Sequence, residues 1–335
     1  MTEARTAEGV STDQLAFFSD LHPPSSDFRR DVLEGLAATP KTIPPKYFYD
    51  RRGSALFDDI TDTPEYYVMR TELALLDRIS DEIAKRAGPG AVVIEPGSGS
   101  STKIDKLLGS LDDPAAYVGL DISKDHLLAA CEDLSRRWPS LKIGAICADF
   151  TRHVDLHDMP IPEGRRLVFF PGSTIGNFEP DEARELLKGI RDWLRPEDGF
   201  LIGVDRVKPR GVLEAAYDDA GGVTADFNLN LLTRINRELD GTIDTAAFEH
   251  RSIWNDAKSR IEMHLVATRD MDFTVSEQAF TMTKGETIHT ENSHKFTVAS
   301  FQALARSAGL EPVADWSDDD SYFTLHWLEC GAEAW

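Results

Sequence analysis

The spacing of hydrophobic and polar positions changes twice along the chain. Helical spacing runs over residues 27–38 and returns over residues 70–87, where we expect the helix to end at Gly88-Pro89-Gly90. Residues 1–19 are mostly small and polar and are predicted to form a flexible N-terminus. The opening part of the chain is therefore predicted to be mainly helical.

From residue 91 onward, short apolar runs alternate with segments of helical spacing. The predicted strands cover 91–95, 116–121, 142–148, 166–171 and 199–204, and the predicted helices between them cover 101–108, 124–138 and 180–194. Strands that alternate with helices at this spacing indicate βαβ units. The sequence thus predicts an α/β fold with a parallel, doubly wound, Rossmann-like sheet.

After residue 205 this alternation ends. Residues 211–255 show mostly helical spacing, and the strands and helix predicted beyond them cover 260–268, 272–282, 298–309 (the helix), 311–316 and 322–330. The last two strands could form an antiparallel edge of the parallel sheet. We predict one domain from 72–206 plus 294–335, and a second, smaller α+β lobe from 20–71 plus 207–293.

The composition narrows the range of partners and compartments. The chain has 58 acidic and 36 basic residues and a formal net charge of −22, which repels nucleic-acid phosphates and anionic membrane surfaces. Its three cysteines lack CxxC spacing, so they suggest neither a disulfide framework nor a thiolate metal site. Because the N-terminus lacks a signal-peptide pattern and no apolar stretch approaches ~20 residues, we expect a cytoplasmic protein, and the acidic surface favours a monomer.

A glycine-containing turn, Glu95-Pro96-Gly97-Ser98-Gly99, lies between the first predicted strand of the sheet and the next helix. Such a turn lets backbone approach a ligand closely at a helix N-terminus. The dinucleotide fingerprint requires a third glycine where Thr102 stands, so a pyrophosphate is not supported. The acidic Glu95 suits S-adenosylmethionine, whose amino group and sulfonium favour nearby anions and carbonyls.

Acidic residues also end the next two predicted strands. Asp121 is placed where a carboxylate meets ribose hydroxyls, and Asp149-Phe150 is placed where a carboxylate and a ring meet adenine. Each signal alone is weak, because glycine turns and strand-end aspartates are often purely structural. Their joint order on three successive strands predicts a cofactor site of the methyltransferase type.

The segment after the fourth strand of the sheet, 170–178, is where such enzymes present the acceptor. It reads FPGSTIGNF and lacks the Asn/Asp-Pro-Pro-aromatic cluster of nucleic-acid amino-methyltransferases and the Pro-Cys of cytosine enzymes. Its small residues leave room for a substrate. Asn177 supplies an amide that can both donate and accept.

Several strings across the chain resemble the L-histidine Nα-methyltransferases of ergothioneine biosynthesis. They are PPKYFYD (44–50), GSALFD (53–58), PEYY (64–67), RTE (70–72), GSTIGN (172–177), AYDDA (216–220), RIEM (260–263) and ENSHKF (291–296). The resemblance runs from about residue 27 to 330 and includes strings outside the cofactor-binding core. The turn at Glu95-Pro96-Gly97 departs from the more usual Glu-Leu-Gly, and we expect the change to be tolerated.

The resemblance implies a class I methyltransferase sheet with a substrate-binding lobe. It implies trimethylation of the histidine α-amino group to hercynine with S-adenosylmethionine, which leaves S-adenosylhomocysteine. By match to the family motifs, the substrate would be bound by Tyr66, Gly172, Asn177, Tyr217, Met263, Glu291 and Ser293. The cofactor would be lined by Tyr49, Glu95, Gly97, Ser98, Gly99, Lys103, Asp121, Asp149 and Phe150.

The expected substrate roles are physically reasonable. Neutral imidazole has one N–H donor and one acceptor nitrogen, so the Glu291 carboxylate and the Ser293 hydroxyl would distinguish it from indole or phenol. Asn177 and Tyr217 would hold the amino and carboxylate end. The proton acceptor stays open between Tyr49, Tyr66 and water, so the expected catalytic residues are Tyr49, Tyr66 and Asn177.

Two alternatives stay open at this point. The acceptor could be another amino acid such as tryptophan or tyrosine, which Glu291 and Ser293 argue against. The chain could instead bind the cofactor without turnover, as a partner of other proteins. The predicted acceptor site argues against this, because such a protein has no need of one. No metal site is predicted, because His289 and His294 near Glu286 and Glu291 match neither the HExxH nor the EF-hand pattern.

Overall fold

The computed structural model describes residues 15–22, 27–98 and 101–331 and arranges them around two β-sheets. The strands, in chain order, are β1 (Phe17–Asp20), β2 (Lys41–Thr42), β3 (Val92–Pro96), β4 (Ala116–Asp121), β5 (Lys142–Cys147), β6 (Arg166–Phe170), β7 (Gly199–Asp205), β8 (Phe248–Asn255), β9 (Arg260–Ala267), β10 (Met271–Val275), β11 (Gln278–Met282), β12 (Thr287–His294), β13 (Leu310–Ser317) and β14 (Phe323–Cys330). The helices are α1 (Phe28–Ala37), α2 (Arg51–Thr61), α3 (Tyr67–Arg78), α4 (Ser80–Ala87), α5 (Ser101–Ser110), α6 (Lys124–Arg137), α7 (Pro180–Arg191), α8 (Arg210–Ala216), α9 (Val223–Glu238) and α10 (Val298–Ser307).

The larger sheet has eight strands in the order β1-β5-β4-β3-β6-β7-β14-β13. Six of these strands, β1, β5, β4, β3, β6 and β7, pair in parallel with their neighbours in that order. Strands β14 and β13 add an antiparallel edge. This topology confirms the predicted α/β, Rossmann-like sheet and the predicted antiparallel edge at the end of the chain. The helices predicted between the strands are also observed, close to their predicted bounds.

The parallel strands lie in the interior because apolar residues point from both of their faces. Every residue of β3 and β7 is buried. Val93, Phe169 and Leu201 belong to the hydrophobic cluster on one face, and Ile94 and Phe200 belong to the cluster on the other. Helices cover both faces, as parallel sheets require.

The smaller sheet has four strands in the order β2-β12-β9-β8, and β10 and β11 form a separate hairpin. β8, β9 and β12 are antiparallel to their neighbours, whereas β2 joins β12 in parallel. Helix α9 buries Phe227, Leu231 and Leu232 in the same hydrophobic cluster as Leu265 of β9. The two sheets meet where β12 lies against the turn that follows β6, which is the region of the candidate site.

The predicted helix over 70–87 is two helices, α3 and α4, separated at Ile79. The continuous apolar spacing concealed the break, because Leu75, Leu76, Ile79 and Ile83 are all buried. The signal that was available is the acidic first turn of α4, since acidic residues favour a helix N-terminus.

The late part of the chain contains more strand than predicted. The helical prediction for 211–255 holds for α8 and α9 but is wrong for β8, and the strand predicted over 272–282 is the β10–β11 hairpin, turning at Ser276 and Glu277 with positive φ. β12 was not predicted, because its buried positions include the polar Thr290, Ser293 and His294. Polar residues at buried strand positions produce no apolar alternation.

The N-terminal prediction is wrong for residues 17–19, because Phe17–Asp20 forms β1 at the edge of the larger sheet. Gly144 of β5 makes this pairing possible, since a Cβ there would overlap the Phe17 ring. Residues 1–14 lie outside the described residues. Within the described part of the chain, no helix is both long and apolar enough to cross a membrane.

Gly199, the first residue of β7, provides a test of the sheet packing. A Cβ at this position would overlap the ring of Trp327, which is fully buried. We expect Gly199→Ala to lower the free energy of unfolding by about 1–3 kcal/mol, because a packed aromatic ring must shift. Urea unfolding measures the change. The matched control is Gly189→Ala in α7, where nothing lies near the added methyl, and an equal loss there would contradict the account.

Candidate functional site

The candidate site lies where the order of the larger sheet reverses. The chain runs outward from β3 through β4 to β5 and then returns to the other side of β3 with β6 and β7. A crevice opens at the carboxyl ends of the strands at such a switch point. Gly97 follows β3 and Gly172 follows β6, so both glycine turns border this crevice.

The turn after β3 is shaped to let a ligand approach the backbone. Gly97 has a φ of +73°, and a Cβ there would lie 3.4 Å from the Phe150 ring. The Gly97 amide donates to the Leu120 carbonyl at 2.7 Å, which fixes the turn against β4. Ser98 is buried behind it, whereas Gly99 lies outside the described residues. Gly97 and Phe150 thus lie together, as the sequence predicts.

The two strand-end aspartates are held by their own loops. Asp121 accepts from the Ser123 amide at 2.7 Å, and burial raises the pKa of its carboxyl. Asp149 accepts from the Thr151 hydroxyl at 2.6 Å and forms an ion pair with Arg152 at 3.2 Å. Both carboxyls therefore lie at the carboxyl edge with fixed orientations.

Glu95 is more enclosed than the sequence suggested. It is 3% exposed, and its carboxyl accepts from the Tyr117 hydroxyl of β4 at 2.6 Å. Burial raises the pKa of Glu95 to about 7. The structure thus gives this carboxyl a partner inside the sheet.

Sequence reasoning missed a buried ion pair between the cofactor and acceptor sides of the crevice. Glu72 of α3 is fully buried, and its carboxylate lies 2.6 Å from the Lys103 ammonium of α5. The same carboxylate accepts from the Gly172 amide at 2.9 Å. Lys103 is at the predicted site, but its ammonium is bound to Glu72. The available signal was the RTE string (70–72), to which no role was assigned.

The loop after β6, residues 171–178, is called the acceptor loop here because the sequence predicts that it presents the acceptor, and its backbone is fixed by local contacts. Gly172 and Ser173 both have positive φ, and the 3-10 turn Thr174–Asn177 follows. The Ser173 hydroxyl accepts from the Asp205 amide at 2.9 Å. A Cβ on Gly176 would lie 2.7 Å from the His294 carbonyl oxygen, so the loop packs directly on β12. Asn177 is therefore held at the junction of the two sheets.

Aromatic rings pack together into an aromatic wall made of Tyr49, Phe57, Tyr66, Tyr217 and Phe227. The Tyr66 ring contacts the Tyr217 ring edge-on, with centroids 6.3 Å apart. Tyr49 packs edge-on against Phe57 and Phe227 and is 47% exposed. Burial and neighbouring charges raise the pKa values of Tyr66 and Tyr217 well above the usual tyrosine value. These two hydroxyls therefore keep their protons.

An irregularity in β12 turns its predicted substrate residues toward the aromatic wall. His289 pairs with His264 of β9, yet Glu291 pairs with Met263, so β12 has one extra residue, Thr290. Such a bulge changes the face to which the following side chains point. Glu291 and Ser293 consequently share a face with the buried Met263.

Glu291 and Ser293 differ in how they are held. Burial raises the pKa of Glu291 to about 7, although the positive charge of Lys295 acts in the opposite direction. The Ser293 hydroxyl lies 2.8 Å from the Tyr217 hydroxyl. The structure thus brings together Tyr49, Tyr66, Tyr217, Met263, Glu291 and Ser293.

A buried charge cluster beneath these residues was not found from the sequence. Asp205, at the end of β7, forms ion pairs with Lys208 and, at 2.7 Å, with Lys295. The Tyr67 hydroxyl donates to the Asp205 carboxylate at 2.8 Å. Burial would raise the pKa of Asp205, but the two ammonium groups outweigh it and hold that pKa below its usual value. Lys295 lies within the ENSHKF string (291–296), where only Glu291 and Ser293 were given roles.

The outer face of the smaller sheet carries a different cluster from the one considered in the sequence. Glu262, His264 and His289 place one ligand atom each within 4.8 Å of one another, and His294 is not among them. Arg260 binds the Glu262 carboxylate at 2.7 Å. The guanidinium neutralises the carboxylate that a metal cation would need as a ligand. The ion pair between Arg260 and Glu262 therefore accounts for this cluster without a metal.

The fold and the crevice together define a class of α/β enzymes that bind a nucleoside-containing cofactor at the carboxyl edge of a parallel sheet. The family model described as "Histidine-specific methyltransferase, SAM-dependent" matches residues 28–330. The chain belongs to this family of S-adenosylmethionine-dependent methyltransferases. The match confirms the resemblance, the enzyme class and the cofactor expected from the sequence.

Curated relatives agree with the family match. The chain is 43% identical over 303 residues to histidine N-alpha-methyltransferase of Mycolicibacterium smegmatis, covering 89% of this chain and 93% of that protein. It is 41% identical over 308 residues to the protein of the same name from Mycobacterium tuberculosis, with the same coverage of both chains. Ergothioneine biosynthesis protein 1 of Neurospora crassa is 32% identical over 308 residues, which are 86% of this chain and 33% of that protein.

The buried pair of Glu72 and Lys103 yields a stability prediction. Glu72→Gln keeps an acceptor for the Gly172 amide but leaves the Lys103 ammonium without its counter-charge. We expect a loss of about 3–5 kcal/mol in the free energy of unfolding, because an unpaired buried charge is costly. Adding Lys103→Met should restore much of this loss in urea unfolding. Additive losses in the double variant would show that the two groups are not coupled.

The raised pKa of Glu291 makes the stability of the ligand-free protein depend on pH. The pKa of its carboxyl is about 4.3 in the unfolded chain and about 7 in the folded protein. The charged carboxyl therefore lowers the free energy of unfolding by its full amount above pH 7. This loss declines as the pH falls toward 4.3. We expect Glu291→Gln to stabilise the protein by at most about 4 kcal/mol at pH 8 and by much less at pH 5. Thermal unfolding at both pH values measures this. A gain that is the same at both values would contradict the assignment.

Proposed function

We propose that the protein transfers three methyl groups from S-adenosylmethionine to the α-amino group of L-histidine and forms hercynine, the first step of ergothioneine biosynthesis. The observation that carries the proposal is the bulge in β12, which turns Glu291 and Ser293 toward Tyr217 and beside Met263. The names of the relatives from mycobacteria and Neurospora crassa support the same acceptor.

Recognition of the imidazole is assigned to three residues. Glu291 accepts the ring N–H, Ser293 serves the other nitrogen, and Met263 packs beside the ring. A carboxylate left without its partner opposes an indole or phenol ring, because buried polar groups are costly when unpaired. This arrangement supports histidine over tryptophan and tyrosine as the acceptor.

The cofactor is assigned to the crevice at the switch point. A nucleoside with an amino acid tail fits the Gly97 turn, the adjoining Phe150 ring and the carboxyls of Asp121 and Asp149. A pyrophosphate does not fit, because Thr102 stands where the dinucleotide fingerprint requires a third glycine. When bound there, S-adenosylmethionine supplies an electrophilic methyl group. Tyr49 and Lys103 are assigned to the cofactor lining as well, with the Lys103 ammonium paired to Glu72.

The remaining residues orient the amine. Asn177 and Tyr217 hold the amino and carboxylate end, and the glycine at 172 leaves space for an amine that grows with each methylation. Since Tyr66 keeps its proton, it acts as a hydrogen-bond donor, and we assign proton removal to water. Tyr49 and Tyr66 then contribute alignment, which is the main requirement of an in-line displacement.

We further propose that the enzyme works as a monomer in the cytoplasm, with neither nucleic acid nor membrane as partner. The net charge of −22 supports this, because it opposes anionic surfaces. The free thiols of Cys131, Cys147 and Cys330 fit a reducing compartment.

Mass spectrometry of the purified protein tests the proposal. The protein is incubated with S-adenosylmethionine and, in separate reactions, histidine, tryptophan or tyrosine. We expect histidine alone to gain up to three methyl groups. Glu291→Gln should lower kcat/KM for histidine by roughly ten- to a hundredfold, the range for losing a charged hydrogen bond.

The matched control for this variant is Glu286→Gln. Glu286 pairs with Lys41 at 3.1 Å outside the site, so kcat/KM should change little. Methylation of tryptophan or tyrosine in place of histidine would overturn the assignment of Glu291 and Ser293. The absence of any methylated product would contradict the proposed function altogether.

A further inference from the structure

Lys295 is enclosed completely and uses all of its hydrogen-bonding capacity. Its side chain is 0% exposed, and its ammonium lies 2.7 Å from the Asp205 carboxylate. The ammonium donates to the Tyr217 hydroxyl at 2.9 Å and to the Ser293 hydroxyl at 2.7 Å. An ammonium has three donors and no acceptor. Both hydroxyl oxygens must therefore accept from Lys295.

This constraint determines where the two hydroxyl protons point. The hydroxyls of Tyr217 and Ser293 are 2.8 Å apart, so one proton lies between their oxygens. A phenol is more acidic than an aliphatic alcohol, and the stronger donor is Tyr217. Ser293 then accepts from both Tyr217 and Lys295, which occupies both of its lone pairs. Its own proton is left to point away from the pair.

We propose that Lys295 is a positioning residue that makes the Ser293 hydroxyl a hydrogen-bond donor toward the substrate. A ring that fits must offer a lone pair to Ser293 and an N–H to Glu291, which is the pattern of neutral imidazole. Lys295 thus selects the protonation state and the orientation of the ring without touching it. The inference rests on the proposed methylation of histidine.

The position of the ammonium is fixed by elements from both sheets. The Lys295 amide donates to the Ser259 carbonyl at 2.8 Å, and the next amide, of Phe296, donates to the Asp205 carbonyl at 3.0 Å. Asp205 is in turn bound through its own amide to Ser173 of the acceptor loop. The donor is therefore held at a fixed place relative to the loop that carries Asn177.

A neighbouring lysine provides a matched control. Lys208 is also buried and also binds the Asp205 carboxylate, but its ammonium otherwise donates to the Tyr67 hydroxyl at 2.7 Å and to the Arg206 carbonyl at 2.6 Å. No contact joins Lys208 to Tyr217 or Ser293 among the hydrogen bonds of the described residues. Removing Lys208 therefore perturbs the same carboxylate without releasing the hydroxyl pair.

A double-mutant cycle tests the inference. Histidine binding to the S-adenosylhomocysteine-loaded protein is measured by calorimetry for the wild type, Ser293→Ala, Lys295→Met and the double variant, at pH 8.5, where Glu291 is ionised. We expect each single change to weaken binding about tenfold. In the Ser293→Ala background, Lys295→Met should weaken histidine binding by at most about threefold. Lys208→Met should instead combine additively with Ser293→Ala.

Equal effects of Lys295→Met with and without the Ser293 hydroxyl would overturn the inference, since they would show a purely structural role. If the Met variant does not fold, Lys295→Gln takes its place in the cycle. Methylation of histidine by the wild type is assayed in parallel. Its failure would refute the proposed function, whereas methylation with an additive cycle would refute only the role of Lys295.

The wild-type complex gives an independent measurement. Nitrogen-15 NMR of ring-labelled histidine, bound at pH 8.5 beside S-adenosylhomocysteine, should show one protonated nitrogen and one nitrogen that accepts a hydrogen bond. Two protonated nitrogens would contradict the inference, because Ser293 would then have to accept.

Discussion

The carboxylate of Asp205 is the constraint on which the site depends. It ends β7 of the larger sheet and is fully buried, so it must be compensated by nearby positive charge. Lys295, directly after β12 of the smaller sheet, and Lys208 provide that charge. The larger and the smaller sheet are thereby joined by a buried ion pair. The acceptor loop is tied to Asp205 through Ser173.

Charged side chains in the crevice also affect the stability of the fold. The pair of Glu72 and Lys103 is compensated and supports the Gly172 turn. Glu291, by contrast, is partly buried beside apolar and aromatic groups, and its pKa is raised to about 7. Such a charge lowers stability, and proteins commonly give up some stability at functional sites. The ion pairs thus support a crevice that also contains a destabilising carboxyl.

Most of the larger sheet could be predicted from sequence, whereas of the smaller sheet only β9 was predicted. Runs such as Val92–Pro96 are apolar on both faces and fall between helices, which is a strong signal. β12 buries Thr290 and Ser293, so no alternation marks it, and its bulge depends on pairing with β9. The family strings named Ser293 and Tyr217, whose hydroxyls lie 2.8 Å apart. They could not reveal that Glu72 pairs with Lys103 or that Asp205 pairs with Lys295, because these contacts join residues far apart in the chain.

The most direct test of the account is a crystal structure of the protein with histidine and S-adenosylhomocysteine. The account predicts the imidazole between Glu291 and Ser293, with Met263 beside the ring and the α-amino group near Asn177. It also predicts that Lys295 still contacts Asp205, Tyr217 and Ser293. A ring bound elsewhere, or an α-amino group turned away from the cofactor crevice, would contradict it.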